Sequence, residues 1–342
     1  MEPPVVHRRL LRRGNTSRWK AKPMLRSFLI YLSKAAWAQN IVTHWGIAWR
    51  AASRFIAGSQ LVDAIRVVGE LNARNINATL DQLGEHTSTP EEAQSATDSI
   101  LTTLDEIAKS GVRANLSIKL TQIGLGLDEN VCAQNLERIL GRAQAAGIFI
   151  RIDMEDTPYT DKTLDMLYLM RGKGYLNTGT VLQSMLYRTE ADTRRLMEDR
   201  IPVRLVKGAY LEPADKAFPK KADVDASYDL LAKLMIDAAL AAGCPKVSED
   251  GRIPPIPALG THDDNRIAFA KQYAEKVGLP KDAIEFQMLH GIRRDIQQSL
   301  AAEGYPVRIY VPFGTHWYPY FMRRLAERPA NIWFFISNFF RK

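Results

Sequence analysis

Eight short apolar runs alternating with helical patterns predict an α/β chain, a TIM-like (β/α)8 barrel preceded by helices. Three observations carry that expectation. The runs are short and rich in β-branched residues, as strands buried on both faces are. The segments between them recur at helical spacing and supply the crossovers that parallel strands require. Nearly every run also ends in a polar or titratable side chain. The rival is an open doubly wound sheet. The count of eight, and the lack of a G-x-G-x-x-G turn after the first strand, favour the barrel.

In chain order, Arg54 to Asn75 reads as a helix, with Gly58 near its start and Leu61, Ile65, Val68 and Leu71 at helical spacing. NATLDQLGE, ending at Gly84 and Glu85, is the first strand. Thr89-Pro90-Glu91-Glu92 starts a helix with a capping threonine, a proline at the first helical position and early acids, and Gly111 closes it. The remaining strands are expected at Ala114 to Leu120, Ile148 to Asp153, Gly179 to Gln183, Val203 to Lys207, Ile256 to Thr261, Ile284 to Leu289 and Val307 to Val311, the last stopped by Pro312 and Gly314. Helical patterns between them cover Asn130 to Ala146, Thr160 to Arg171, Glu190 to Asp199, Ser227 to Ala242, Asn265 to Gly278 and Arg293 to Glu303.

The net charge of +8 is concentrated at one end: Arg8, Arg9, Arg12, Arg13, Arg18, Lys20, Lys22 and Arg26 face only Glu2. The division expected is a basic, disordered extension over residues 1–26 and one barrel domain with its N-terminal helices over 27–342. Anionic lipid contact and an organellar address are alternatives for the extension. The rest of the chain is close to neutral, which excludes a nucleic-acid-binding body. Cys132 and Cys244, far apart and without metal-ligand spacing, indicate free thiols in a reducing, cytoplasmic compartment. No stretch reaches the roughly eighteen apolar residues of a membrane span. Phe28 to Trp49 reads as an amphipathic helix packed on the body. The ending IWFFISNFFRK suits either a peripheral anchor at a membrane surface or a helix docked in a groove.

Active sites of such barrels gather at the C-terminal ends of the strands. Those ends offer Asp81 and Glu85, Lys119, Asp153 and Glu155, Gln183, Arg204 and Lys207, Thr261 and His262, Gln287 and His290, and Tyr310. Charge at the bottom of a barrel is expected in loops, so Lys119 and Arg204, inside apolar runs, must meet a ligand or an ion-pair partner such as Asp153. After the last strand, Tyr320, Arg323, Arg324 and Glu327 share one side of a helix. Two guanidiniums beside an aromatic ring can receive a small carboxylate on an apolar body; the alternative is a solvated face with an Arg323–Glu327 pair.

With those residues in hand, SIKL, IDMED, VRLVKGAY, GTHDDN, FQMLHG and above all YPYFMRRLAERPAN resemble the proline dehydrogenase family, in its short bacterial form, over nearly all of residues 50 to 336. The resemblance implies a distorted barrel holding FAD non-covalently, with the last helix lying over the active site. It implies that Arg323, Arg324 and Lys119 bind the substrate carboxylate, with Asp153 and Glu327 balancing the charge. Tyr310 and Tyr320 would pack on the pyrrolidine ring beside Leu289 and Ala209, and Glu85 would gate the site by pairing with Arg323. Arg204, Val206, Gly208, Gln183, Thr261 and His262 match positions that contact FAD, Gly208 being small so that backbone can approach a flat ring. The implied reaction is hydride transfer from L-proline to flavin N5, giving 1-pyrroline-5-carboxylate, with electrons passed to a membrane quinone. A metal-dependent hydrolase using His262, His290, Asp153 and Glu155 is the competing chemistry; against it, the first strand has no His-x-His pair and the histidines stand on separate strands. No metal and no nucleic acid are expected.

Overall fold

A computed structural model describes residues 31, 32, 35, 49, 50 and 52–327. The expected basic extension, most of the helix from Phe28 to Trp49, and the IWFFISNFFRK ending lie outside the described residues.

The eight strands β1 (Asn77–Gln82), β2 (Ala114–Ile118), β3 (Ile150–Ile152), β4 (Thr178–Gln183), β5 (Val203–Val206), β6 (Pro257–Gly260), β7 (Glu285–Leu289) and β8 (Val307–Phe313) form a closed barrel in sequence order. Every neighbouring pair is parallel, and β8 closes on β1 from Asn77 opposite Arg308 to Gln82 opposite Phe313. Helices α1 (Leu61–Asn72), α2 (Pro90–Ser110), α3 (Glu129–Ala145), α4 (Thr157–Gly172), α5 (Thr189–Glu198), α6 (Lys221–Ala241), α7 (Asp264–Val277), α8 (Arg294–Ala302) and α9 (Trp317–Glu327) complete the order. The fold class read from the sequence is therefore the observed one.

Alternation along each strand divides apolar from polar. Outward residues such as Leu80, Leu116, Ile150, Leu205, Phe286 and Ile309 join Leu104, Leu136, Leu231 and Met235 of the helices in the main core. Inward residues include Thr79, Asn115, Arg151, Arg204, Glu285, Gln287 and Arg308, all buried. Charge in the lower barrel is thus not confined to loops, contrary to expectation. Arg308 stands near the start of β8, yet its guanidinium is satisfied inside the barrel by Glu285 at 2.9 Å and by the carbonyl oxygens of Ala78 and Gly251, each at 2.8 Å. Full pairing is what makes such burial tolerable.

Most elements differ from the expected bounds by one to three residues and α6 starts six earlier, at Lys221; two further differences have a structural cause. The helix does not begin at Arg54, because the residues before α1 bond to the end of β8: Ala57 N–H donates to Pro312 O at 2.9 Å, and Gly58 O accepts from Gly314 N–H at 3.0 Å. Pro312 does not stop β8. Strand β7 ends opposite Tyr310, so beyond that level β8 has only β1 beside it, and a missing N–H is tolerated as at a sheet edge. Both cysteines are free thiols, Cys132 being buried.

Helix α9 is seated by a second apolar cluster, in which Trp317, Tyr318, Phe321 and Leu325 pack with Ala52, Phe55, Ile56, Leu83 and Ile292. Trp49 meets Trp317 edge-on at 5.5 Å, and Tyr318 Oη donates to Leu32 O at 3.1 Å. This face fixes the helix so that its other face looks down the barrel.

The start of α2 matches the capping reading, since Thr89 Oγ1 accepts from Glu92 N–H at 3.2 Å and Gly111 is left-handed at φ 68°. Thr89→Ala should cost about 1 kcal/mol, read as a lower urea midpoint with an unchanged slope.

Candidate active site

A cavity of about 400 Å³ opens at the C-terminal ends of the strands beneath α9. It gathers Glu85, Lys119, Asp153, Arg204, Val206, Gly208, Ala209, Thr261, His262, Leu289, Tyr310, Tyr320, Arg323 and Arg324 of the residues singled out in the sequence. Gln183 is not on its wall; it ends β4 and donates from Nε2 to Glu155 O at 2.9 Å. Glu327 is the last residue of α9, and its side chain lies outside the described residues.

Lys119, the first residue past β2, is the electrostatic centre. Its Nζ lies 3.0 Å from Asp81 Oδ1, 3.4 Å from Asp153 Oδ2 and 3.4 Å from the Tyr310 hydroxyl. Burial alone would strip its proton, but the Asp81 carboxylate, Tyr310 and Asp153 overcome that and hold Lys119 protonated well above the ordinary lysine range. Tyr310 donates to Asp153 Oδ2 at 2.8 Å. Burial, reinforced by Asp153 and Asp81, pushes its phenol well above the usual value, so it remains a donor. The expected partner Asp153 is therefore only the second; Asp81, named as a strand end but given no role, is closer.

At the mouth, Arg323 grips Glu85 in two-point fashion, Nη2 to Oε1 at 2.6 Å and Nη1 to Oε2 at 3.0 Å. This contact is with the loop after β1; the other expected partner, Glu327, has its side chain outside the described residues. Burial raises the Glu85 carboxyl, but Arg323, with help from Lys119, wins and holds it below its usual range. Arg324 lies with its guanidinium carbon 5.1 Å from the centre of the Tyr320 ring.

On the opposite wall Arg204 is anchored three ways: Nη1 to Asp153 Oδ1 at 3.0 Å, Nε to Gln287 Oε1 at 2.5 Å, and Nη2 to Ser117 Oγ at 3.2 Å. His262 Nε2 accepts from Leu289 N–H at 3.0 Å, which fixes that ring nitrogen as unprotonated. Gly208 has a left-handed φ of 110°, and a Cβ there would sit 2.4 Å from Met185 Sδ. Backbone conformation and Met185 already require a glycine at this position, a reason beyond the flat-ring approach expected from the sequence.

The four proposed metal ligands do not converge. His262 and Asp153 line the cavity, but Glu155 is turned to Thr121 N–H and Oγ1. His290 is held neutral by burial and by Arg294, its pKa lowered to about 4. Lys207, named as a strand end but given no role, lines the cavity too, as do Tyr210, Met154, Val181, Gly260 and Met288, which were not singled out. Lys207 and Tyr210 stand on either side of Gly208 and Ala209 within VRLVKGAY, so taking every residue of that motif as a site candidate would have found both.

A parallel barrel with cations and aromatic rings converging at its C-terminal mouth has the layout of a barrel enzyme. Residues 64–335 match the family described as proline dehydrogenase. Proline dehydrogenase 2 of Bacillus subtilis (strain 168) is 39% identical over 317 residues, covering 93% of this chain and 99% of that one. The proline dehydrogenase of Deinococcus radiodurans is 40% identical over 294 residues, 85% of this chain and 90% of that one. The chain belongs to the proline dehydrogenase family, and so to the oxidoreductases of proline catabolism. Its fold is shared with proline utilization A from Bdellovibrio bacteriovorus, inactivated by N-propargylglycine, at a TM-score of 0.75 and 24% identity. That alignment covers 93% of this chain but only 38% of the longer one. A mutant of Bradyrhizobium japonicum proline utilization A aligns at a TM-score of 0.68 and 23% identity, over 82% of this chain and 31% of that one.

Because Glu85 has a folded pKa below its unfolded value, its pair with Arg323 contributes stability above the unfolded value, 4.5, and loses it as pH falls through the folded one. The stability difference between wild type and Glu85→Gln, from urea melts, should be largest near neutrality and shrink below pH about 4.5.

Proposed function

We propose that the chain oxidises L-proline to 1-pyrroline-5-carboxylate on a non-covalently held FAD. The observation that carries this reading is one cavity joining Arg323, Arg324 and Lys119 to an aromatic and aliphatic wall of Tyr310, Tyr320, Leu289 and Ala209. A planar cofactor fits the other side: Val206, Gly208 and Gly260 present small or apolar surface, and Arg204, Thr261 and His262 present polar groups. At Gly260 a Cβ would stand 2.8 Å from Val206, so this part of the wall cannot be filled by a larger residue without displacement. Held there by these residues, FAD would supply the hydride acceptor for the ring carbon beside the proline nitrogen, with a membrane quinone as the final electron acceptor.

The protein's own part is binding, orientation and charge. Arg324 and Lys119 take the carboxylate, and Arg323 joins them from its clasp with Glu85, which closes the mouth and excludes water. Asp81 and Asp153 keep the three cations from repelling one another, with Glu327 a further counter-charge on the same helix. Tyr310 and Tyr320 grip the pyrrolidine ring, and the bulk of Tyr310 favours unsubstituted proline over hydroxyproline. Lys119 held protonated and Tyr310 held neutral do not serve as the base, and water takes the proton of the substrate amine before hydride transfer. Arg204 places positive charge beside the cofactor and favours its reduced anion. Gln183 supports the cofactor wall from behind.

We assign residues 27–342 to one catalytic domain and 1–26 to a basic extension, with the protein acting in the cytoplasm against the membrane surface. Among the described residues no helix is long and apolar enough to cross a membrane. The aromatic ending of the chain suits surface contact with the bilayer that holds the quinone.

An anaerobic visible spectrum tests the reading: a flavin band near ~450 nm should bleach on adding L-proline. A band that persists removes proline as donor, and a colourless protein that FAD cannot reconstitute removes the cofactor. Arg324→Met should raise KM for proline tenfold or more, about 1.4 kcal/mol, with FAD retained; an unchanged KM removes Arg324 from the carboxylate site.

A further inference from the structure

Below the cavity a column of side chains runs down the inside of the barrel. Arg204 Nε donates to Gln287 Oε1 at 2.5 Å, and Gln287 Nε2 donates to Glu285 Oε1. Arg308 Nε donates to the same Glu285 oxygen at 2.9 Å. Glu285 and Arg308 are fully buried and Gln287 is nearly so. Residues 285 and 287 are two apart on β7, so they stack on one face of the strand, and Gln287 lies opposite Arg308 on β8.

We propose that Glu285 is a positioning residue which orients Arg204 toward the cofactor through Gln287. The inference rests on the reading that Arg204 faces FAD. An amide has one end that donates and one that accepts, and either could point up the barrel. A carboxylate only accepts, so Glu285 takes the Nε2 end of Gln287 and leaves Oε1 uppermost. That oxygen is the acceptor Arg204 Nε requires. With the amide reversed, two donors would meet at Arg204 and two acceptors at Glu285. Arg308 holds the carboxylate in turn, tied by its other two nitrogens to Ala78 O and Gly251 O.

The neutral amide in the middle has its own purpose. Asp153 already offsets part of the Arg204 charge at 3.0 Å. A second carboxylate directly on Arg204 would remove the remaining field at the cofactor. Gln287 transmits the direction fixed by Glu285 without bringing its charge into contact, so Arg204 is held still and stays positive toward the site.

The test is the midpoint potential of the FAD-loaded protein, by anaerobic spectroelectrochemical titration, for wild type, Glu285→Gln, Gln287→Leu, the double variant and Arg204→Met. Each single change in the column should lower the potential by about 30 mV, a tenfold shift of a two-electron couple. The double variant should shift no further than Gln287→Leu alone, since the link is already cut. Shifts that add in the double variant, or no shift in either single one, overturn the proposal. Gln287→Leu keeps the buried Glu285–Arg308 pair, so it decides the matter if Glu285→Gln fails to fold or to load FAD. An unshifted Arg204→Met would overturn the underlying placement of Arg204 and the proposal with it. A shifted Arg204→Met beside unshifted column variants would overturn the column alone.

Discussion

A charged lysine in almost complete burial is the constraint around which the site is arranged. Transferring an ammonium out of water costs several kcal/mol unless anionic partners surround it. Lys119 meets two, Asp81 from β1 and Asp153 from just after β3, together with the Tyr310 hydroxyl from β8. Three strands are thereby held to one point. Tyr310 and Arg204 also both bind Asp153, so the positions of β5 and β8 are tied to the same carboxylate. The lysine is kept charged by contacts that also set the shape of the cavity.

The barrel supports this by an uncommon division of labour. Its apolar mass lies between strands and helices, while the inside is a stack of buried polar side chains from Arg308 up to the mouth. Polar contacts are directional where apolar ones are not, so such an interior specifies orientation as well as volume. Gly179 shows the fit required: a Cβ there would lie 3.1 Å from Arg151 Nη1 and 3.0 Å from the Phe149 ring. Helix α9 depends on the opposite principle. Its aromatic face is packed apolar-on-apolar, which leaves Arg323 and Arg324 on the face turned to the site.

Much of this was legible in the sequence, for physical reasons that can be located. Alternation of apolar runs and helical repeats gives the barrel because parallel strands allow few other solutions. Lys119 and Arg204 stood out because charge inside an apolar run demands partners, and both prove to be anchored in the cavity. The same test applies to Arg151 in Ile150–Ile152 and to Arg308 in Val307–Phe313, yet the assumption that a barrel bottom keeps its charge in loops concealed them. Glu85 as the partner of Arg323 was legible only by resemblance, because spacing alone proposes Glu327, four residues on. Gly58 could not reveal that the chain before α1 bonds to Pro312 and Gly314, since that contact joins segments more than 250 residues apart. The ends of β1, β2, β3, β5 and β6 were placed one to three residues too far because polar side chains stand just past the last paired residue, as Lys119 and Asp153 do, whereas β8 was placed two residues short.

The closure of β8 on β1 also bears on when the pocket can exist. Strand β1 supplies Asp81 and the following loop Glu85, whereas Tyr310, Tyr320, Arg323 and Arg324 arrive only with β8 and α9. During synthesis the first half of the site must wait for more than 200 residues before its other half is made. Until then Lys119 lacks Tyr310, and the edge of β1 is without its second neighbour. The lining of the pocket is therefore incomplete on a ribosome-bound chain until α9 has left the exit tunnel, and in that interval the open edge of β1 is the surface that a chaperone would have most reason to cover.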